Sequence, residues 1–150
     1  MECYSCKSNS GEKRISPGPV IYEGKYWLVE HTYPTKLKGW VVIVLKRHAE
    51  ALHDLTNDEF LEFGKICSIT AKLINEMTCC VKEYCLSYSE VEHFNHIHFH
   101  IIPRADDLPK DLQGSKIFSL LKVTEDDSIT KQEIIEFCFD MKNRFNEELS

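Results

Sequence analysis

Three histidines, His96, His98 and His100, alternate with Ile97, Phe99 and Ile101 in the stretch Asn95 to Arg104. Side chains of an extended chain point to opposite faces with period two. A strand here therefore carries three imidazoles on one face and three large apolar groups on the other. The apolar row belongs on a core, and the imidazole row faces a cleft, a ligand or a metal. Pro103 closes the apolar run. Two chemistries fit the pattern. One is a three-histidine metal site that leaves a coordination position open for water. The other uses the central histidine as a nucleophile, its neighbours orienting it and the group it attacks.

A second set of ligand types lies at the N-terminus, where Cys3 and Cys6 form a Cys-x-x-Cys. That spacing lets two thiolates chelate one ion, and zinc is the usual occupant in reducing compartments. A redox pair or two unused thiols fit the same spacing. A four-coordinate site needs two further ligands, and the chain offers His31, His48, His53, His93, His96, His98 and His100.

The segment His96-Ile-His-Phe-His-Ile-Ile-Pro-Arg104 resembles the histidine triad (HIT) family of nucleotide hydrolases and transferases. Cys3-x-x-Cys6 and Lys46-Arg-His48 support the resemblance, which runs from Cys3 to about Arg104. It favours the nucleophilic reading and implies the middle histidine, His98, as the residue that attacks the α-phosphorus of a nucleotide. A nucleotidyl-histidine then passes to water or another acceptor. It implies His100 as a donor to phosphate oxygens and places His93 where many members carry a Ser or Thr toward the leaving group. His31 falls where relatives place an acidic residue toward the ribose, and Glu92 where they often have Gln. His31, Glu92 and His100 are thus the nucleotide-binding candidates, and His98, His100 and His93 the catalytic ones. Some members, and the related galactose-1-phosphate uridylyltransferases, hold a structural zinc. Its ligands here correspond to Cys3, Cys6, His48 and His96. The resemblance further implies a homodimer acting on a small nucleotide such as a dinucleoside polyphosphate. A non-catalytic nucleotide-binding module and a metal hydrolase built on His96, His98 and His100 remain the competing functions.

The elements that must position these residues are legible in outline. Val20 to Tyr22 and Lys25 to His31 read as a hairpin around Glu23-Gly24. Trp40 to Leu45 lacks alternation and reads as a central strand covered on both faces. Thr56 to Glu59 is a capping box. Behind it Phe60, Phe63, Cys67, Thr70, Leu73, Ile74 and Met77 recur at helical spacing to about residue 78. Val81 to Glu90 is expected as a strand, Ala105 to Gly114 as a polar loop and Ser115 to Lys122 as a short helix. Thr130 to Glu133 is a second capping box, opening a helix to about residue 148 with Ile134, Cys138, Met141 and Phe145 on its packed side. Gly11 to Pro19 reads as loop.

The sum is a single α+β domain over 1–150. It has an antiparallel sheet of about five strands, a long helix after the central strand and a C-terminal helix. Residues to about 104 carry the motifs, and 105–150 form a loop and helical extension. With 18 basic and 24 acidic residues the net charge is −6, which argues against phosphate-driven binding of a nucleic acid polymer but not against a small anion. The start has no apolar core like a signal peptide, and Trp40 to Leu45 is too short to span a bilayer. Seven cysteines, an odd number, point to thiols in a reducing, cytoplasmic setting.

Overall fold

The computed structural model describes residues 2–150. Five strands form one antiparallel sheet, β1 (Tyr22–Glu23), β2 (Trp27–His31), β3 (Val41–Leu45), β4 (Lys82–Leu86) and β5 (His98–Arg104), in the order β1-β2-β3-β5-β4. Around it lie α1 (Tyr4–Ser10), α2 (Asn57–Thr78) and α3 (Lys131–Leu149), with short 3-10 turns, one of them over Gly114–Leu121. The expected α+β architecture is present, and β3 sits at the centre of the sheet.

Period two decides what each sheet face carries. On β3, Val41, Ile43 and Leu45 are fully buried against the helices, together with Trp27, Val29 and Ile101 from the neighbouring strands. Val42 and Val44 point the other way, and Val42 is only half-buried, because there that face floors a cavity; a second, smaller core of Trp40, Ile102 and Ile117 lies farther along the same face. Register carries the parity across: Val42 pairs with His100 and Val44 with His98. Phe99 packs under the sheet against Phe63 and Trp27, at ring-centroid distances of 4.3 and 6.0 Å. The apolar half of the histidine strand is therefore anchored in the helical core while His98 and His100 turn to the cavity on the other face.

Both capping boxes form, with Thr56 and Thr130 accepting from the N3 amides of Glu59 and Glu133. Glu59 also accepts two bonds of 2.8 Å from Arg47, just past β3, so the start of α2 is tied to the residue beside His48. On α3 the expected Ile134, Cys138, Met141 and Phe145 are all buried.

Some boundaries differ. Phe60 is exposed and Ile66 takes its place in the buried stripe of α2. β4 stops at Leu86, opposite His100, rather than reaching Glu90. Beyond that pair the chain turns away through Ser89, at φ 50°, and becomes a wall of the cavity. The short helix expected at 115–122 is a 3-10 turn. Helix α1 falls where no helix is expected. Its seven residues are too few to be stable alone, and it is held from outside: Asn9 Nδ2 donates to the Leu45 carbonyl over 3.0 Å, and Tyr4 stacks on His93 at 4.4 Å. Gly11, at φ 82°, closes it in the left-handed conformation that glycine adopts without strain. Among the described residues no helix is long and apolar enough to cross a membrane.

Candidate active site and metal centre

The three histidines of the triad have separate tasks, set by what holds each ring. His98 approaches the His96 carbonyl with Nδ1 at 2.7 Å. A carbonyl only accepts, so the proton sits on Nδ1 and the Nε2 lone pair is free. His100 is the reverse. The indole N–H of fully buried Trp40 donates to its Nδ1 over 3.0 Å, which leaves the ring proton on Nε2. The two rings lie edge to face with centroids 5.0 Å apart. Side by side they present a nucleophilic nitrogen and an N–H donor.

Burial keeps both rings neutral. It lowers His98, against the opposing hydrogen bond to the His96 carbonyl, and pushes His100 down to about 3, with His98 adding to the effect. Phe118 closes over His100 at 4.9 Å. Ser89 fixes the backbone beneath the His98 ring: its hydroxyl accepts from the His98 amide over 3.2 Å and lies 3.3 Å from the His98 carbonyl.

His98, His100, Val42 and Val44 line a cavity of about 470 Å³, within the range of small-molecule sites. Residues of α1, the 88–94 segment and the turn at Phe118 wall it.

His96 belongs to a different centre. Its Nε2–H donates to the Leu45 carbonyl at 2.7 Å, which turns Nδ1 toward Cys3 Sγ at 3.4 Å, Cys6 Sγ at 3.5 Å and His48 Nδ1 at 3.3 Å. The ligand atoms of Cys3, Cys6, His48 and His96 all lie within 4.8 Å of one another. Tetrahedral bonds of about 2.3 Å to sulfur and 2.05 Å to nitrogen imply edges of about 3.3 Å between nitrogens and 3.5–3.6 Å between sulfur and nitrogen. The observed spacings match those edges. The outer shell matches as well, since His48 Nε2 faces Glu50 at 3.0 Å, the carboxylate partner that orients a metal-bound imidazole. Burial and the adjacent Cys3 push the Cys6 thiol up to about 11; a divalent cation between the two sulfurs is what would favour thiolates. The donor set suits a closed structural ion. The three triad rings, by contrast, do not converge on one point. His96 turns to the cysteines, and His98 and His100 commit Nδ1 to a carbonyl and an indole, so a three-histidine metal hydrolase has no support here.

Three expected site residues are not free to act as site groups: His31 borders the cavity but its ring is committed to other partners, and His93 and Glu92 lie outside the cavity. His31 shares the helix-facing parity of Trp27 and Val29 and meets Phe137 of α3 edge to face at 5.4 Å. Both ring nitrogens are used, Nδ1 donating to the Thr32 carbonyl at 2.7 Å and Nε2 accepting from the Gly39 amide at 3.0 Å. Burial drives it down to about 4, so it is a neutral brace of the β2–β3 connection. The acidic residue on the cavity face is its neighbour Glu30, one position away and therefore on the opposite side of the sheet. His93 lies outside the cavity, held by the Glu2 carbonyl at 3.0 Å and by Tyr4. Glu92 is exposed beside it and does not line the cavity. Arg104 spends its guanidinium on its own turn, at the carbonyls of Ala105 and Asp106. His53 is on the surface, its side chain 85% exposed. Trp40, Ser89, Phe118 and Glu50 are the site residues that the sequence reading missed. Of these only Glu50 carried a signal, two positions after a candidate ligand.

A family model described as the HIT domain matches residues 13–107. An uncharacterised HIT-like protein of Methanocaldococcus jannaschii is 30% identical over 104 residues, covering 68% of this chain and 78% of that protein. Among solved structures, a hypothetical histidine triad nucleotide-binding protein from Sulfolobus tokodaii superposes with a TM-score of 0.71 at 18% identity, covering 97% of this chain and 93% of that one. A zinc-bound histidine triad family protein from Mycobacterium smegmatis gives 0.69 at 17% identity, over 99% and 98%. Plasmodium falciparum diadenosine triphosphate hydrolase gives 0.66 at 17% identity, over 87% and 78%. At these identities the solved structures speak for the fold, while the domain match and the archaeal relative speak for descent. The chain belongs to the HIT domain family.

Proposed function

We propose that this protein is a nucleotide hydrolase or nucleotidyl transferase that works through a nucleotidyl-histidine on His98. The observation that carries the reading is the opposed tautomers of His98 and His100 on one cavity floor. Nε2 of neutral His98 attacks the α-phosphorus, and the bond to the leaving oxygen or nitrogen breaks as the new P–N bond forms. The ring gains positive charge, which its Nδ1–H directs onto the His96 carbonyl. His100 Nε2–H donates to a non-bridging oxygen as negative charge builds there. Water or another acceptor then displaces His98 and releases the nucleoside monophosphate. Splitting the reaction into two displacements lowers each barrier. The fold shared with a diadenosine triphosphate hydrolase supports a dinucleoside polyphosphate or similar nucleotide conjugate as substrate.

Zinc held by Cys3, Cys6, His48 and His96 would act structurally in this reading. Bound, it supplies a cross-link between the N-terminus and the residue whose carbonyl orients His98. A reducing, cytoplasmic compartment keeps both cysteines available as ligands. A homodimer is part of the proposal: β4 ends the sheet, and an edge strand is where a second copy's sheet can join.

A binding module without turnover is the second reading. It is favoured by the position of His93, which leaves the departing group without that proton donor. Intact mass measurement after mixing with adenylyl and guanylyl substrates, quenched at alkaline pH, separates the two. The expected result is a nucleoside monophosphate adduct that His98→Asn abolishes. Turnover that survives His98→Asn overturns the proposal, and tight binding with neither adduct nor turnover establishes the second reading.

A further inference from the structure

We propose that Glu30 reads the base of the bound nucleotide and gives the site a preference for guanine over adenine. This rests on the cavity being the nucleotide site. Glu30 pairs with Val42, and Val42 with His100, so the three form one row across the cavity face of the sheet. Two strand spacings separate Glu30 from His100, about 10 Å. A nucleotide with its α-phosphate at His98 and His100 can lay its sugar over the valines and bring its base to Glu30 on β2.

Glu30 is 5% exposed and lines the cavity. A buried carboxylate is costly unless it is paired. Arg14 supplies the pairing, Nη1 donating to Glu30 Oε1 and Nη2 to the Gly18 carbonyl at 3.1 Å. Arg14 does not itself line the cavity, so it holds the carboxylate from outside. Oε2 accepts no hydrogen bond among the described residues, and Oε1 keeps a second lone pair.

An ionised carboxylate only accepts. Guanine offers two adjacent donors on its Watson–Crick edge, N1–H and the 2-amino group, which match the two oxygens. Adenine offers one donor, its 6-amino group, beside the N1 lone pair, which would face a carboxylate oxygen. The same carboxylate thus attracts one purine at two points and repels part of the other.

A simple staple between the 14–18 loop and β2 is the rival account, and it makes different demands. The test is calorimetric titration of the full-length protein with GMP, IMP and AMP, which needs no turnover. The expected order is GMP, then IMP (which lacks the 2-amino group), then AMP, with GMP bound at least about tenfold tighter than AMP. Glu30→Gln presents an acceptor and a donor, the match for adenine, so the ratio should fall to one or below. Equal affinity of the wild type for GMP and AMP overturns the proposal, as does a GMP preference that survives Glu30→Gln. If none of the three nucleotides binds the wild type, the nucleotide-site reading falls as well. The wild-type series decides the matter even if the variant folds poorly.

Discussion

The Trp40 indole donates its N–H to His100 Nδ1 across 3.0 Å, and this one bond decides which end of His100 carries the proton. An indole can only donate, so the bond is incompatible with a proton on Nδ1. Trp40→Phe keeps an aromatic ring in the core but frees the tautomer. The expected outcome is a fall in kcat of about tenfold to hundredfold with little change in nucleoside monophosphate affinity, since a wrong tautomer disables a histidine without removing it. Long-range proton–nitrogen NMR spectra should show His100 as the Nε2–H form in the wild type and as a mixture in the variant. A variant that stays wholly Nε2–H would refute the positioning role.

What the sequence disclosed, and what it hid, divides along a physical line. Spacing reveals parity and periodicity, so the alternation at His96 to Ile101 and the two capping boxes are directly readable. Parity does not say which face holds the site. On β2 the candidate was His31, and only the pairing of its neighbour Glu30 through Val42 to His100 shows that Glu30 faces the cavity. Helix α1 has no apolar period to announce it; its first turn is organised by Cys3, whose sulfur accepts from the Cys6 amide at 3.4 Å. Trp40 looked like part of a hydrophobic run because its function lies in a bond to a residue 60 positions away.

The Cys3, Cys6, His48 and His96 cluster has two separable layers. Cys3→Ser/Cys6→Ser protein is expected to lose nearly all of about one zinc per chain, measured by elemental analysis, and to melt at a lower temperature. Glu50→Gln removes only the carboxylate at 3.0 Å from His48 Nε2 and should weaken zinc affinity by about tenfold to hundredfold, read in a chelator competition. Equal zinc in wild type and the double serine variant would exclude the four-ligand assignment.

His31 is expected to govern stability in mild acid. Its folded pKa is lowered to about 4, while an unfolded histidine titrates near ~6.5. Between those values the unfolded chain binds the extra proton, so stability is present above pH ~6.5 and is lost as the pH falls toward 4. Urea unfolding should show His31→Gln reducing this slope by up to about 1.4 kcal/mol per pH unit, with the ratio of affinities for GMP and AMP unchanged. An altered ratio would return His31 to the nucleotide site.

Glu59 controls a lower window. Its carboxylate is 2% exposed and accepts from Arg47 Nε and Nη2, each at 2.8 Å, and from the Thr56 amide at 2.8 Å. The Arg47 guanidinium, with the helix cap, holds its pKa near 2, against ~4.3 in an unfolded chain. A depressed carboxylate contributes stability that is complete above pH ~4.3 and disappears as the pH falls through 2. Glu59→Gln should therefore cost about 2 kcal/mol at pH 7 and flatten the wild-type decline between pH 4 and 2, as followed by urea titration. Because Arg47 precedes His48, the variant should also loosen zinc, whereas Glu133→Gln, in the equivalent cap of α3, should not. Zinc affinity that falls equally in both variants would mean general loss of structure and not the Arg47 tie.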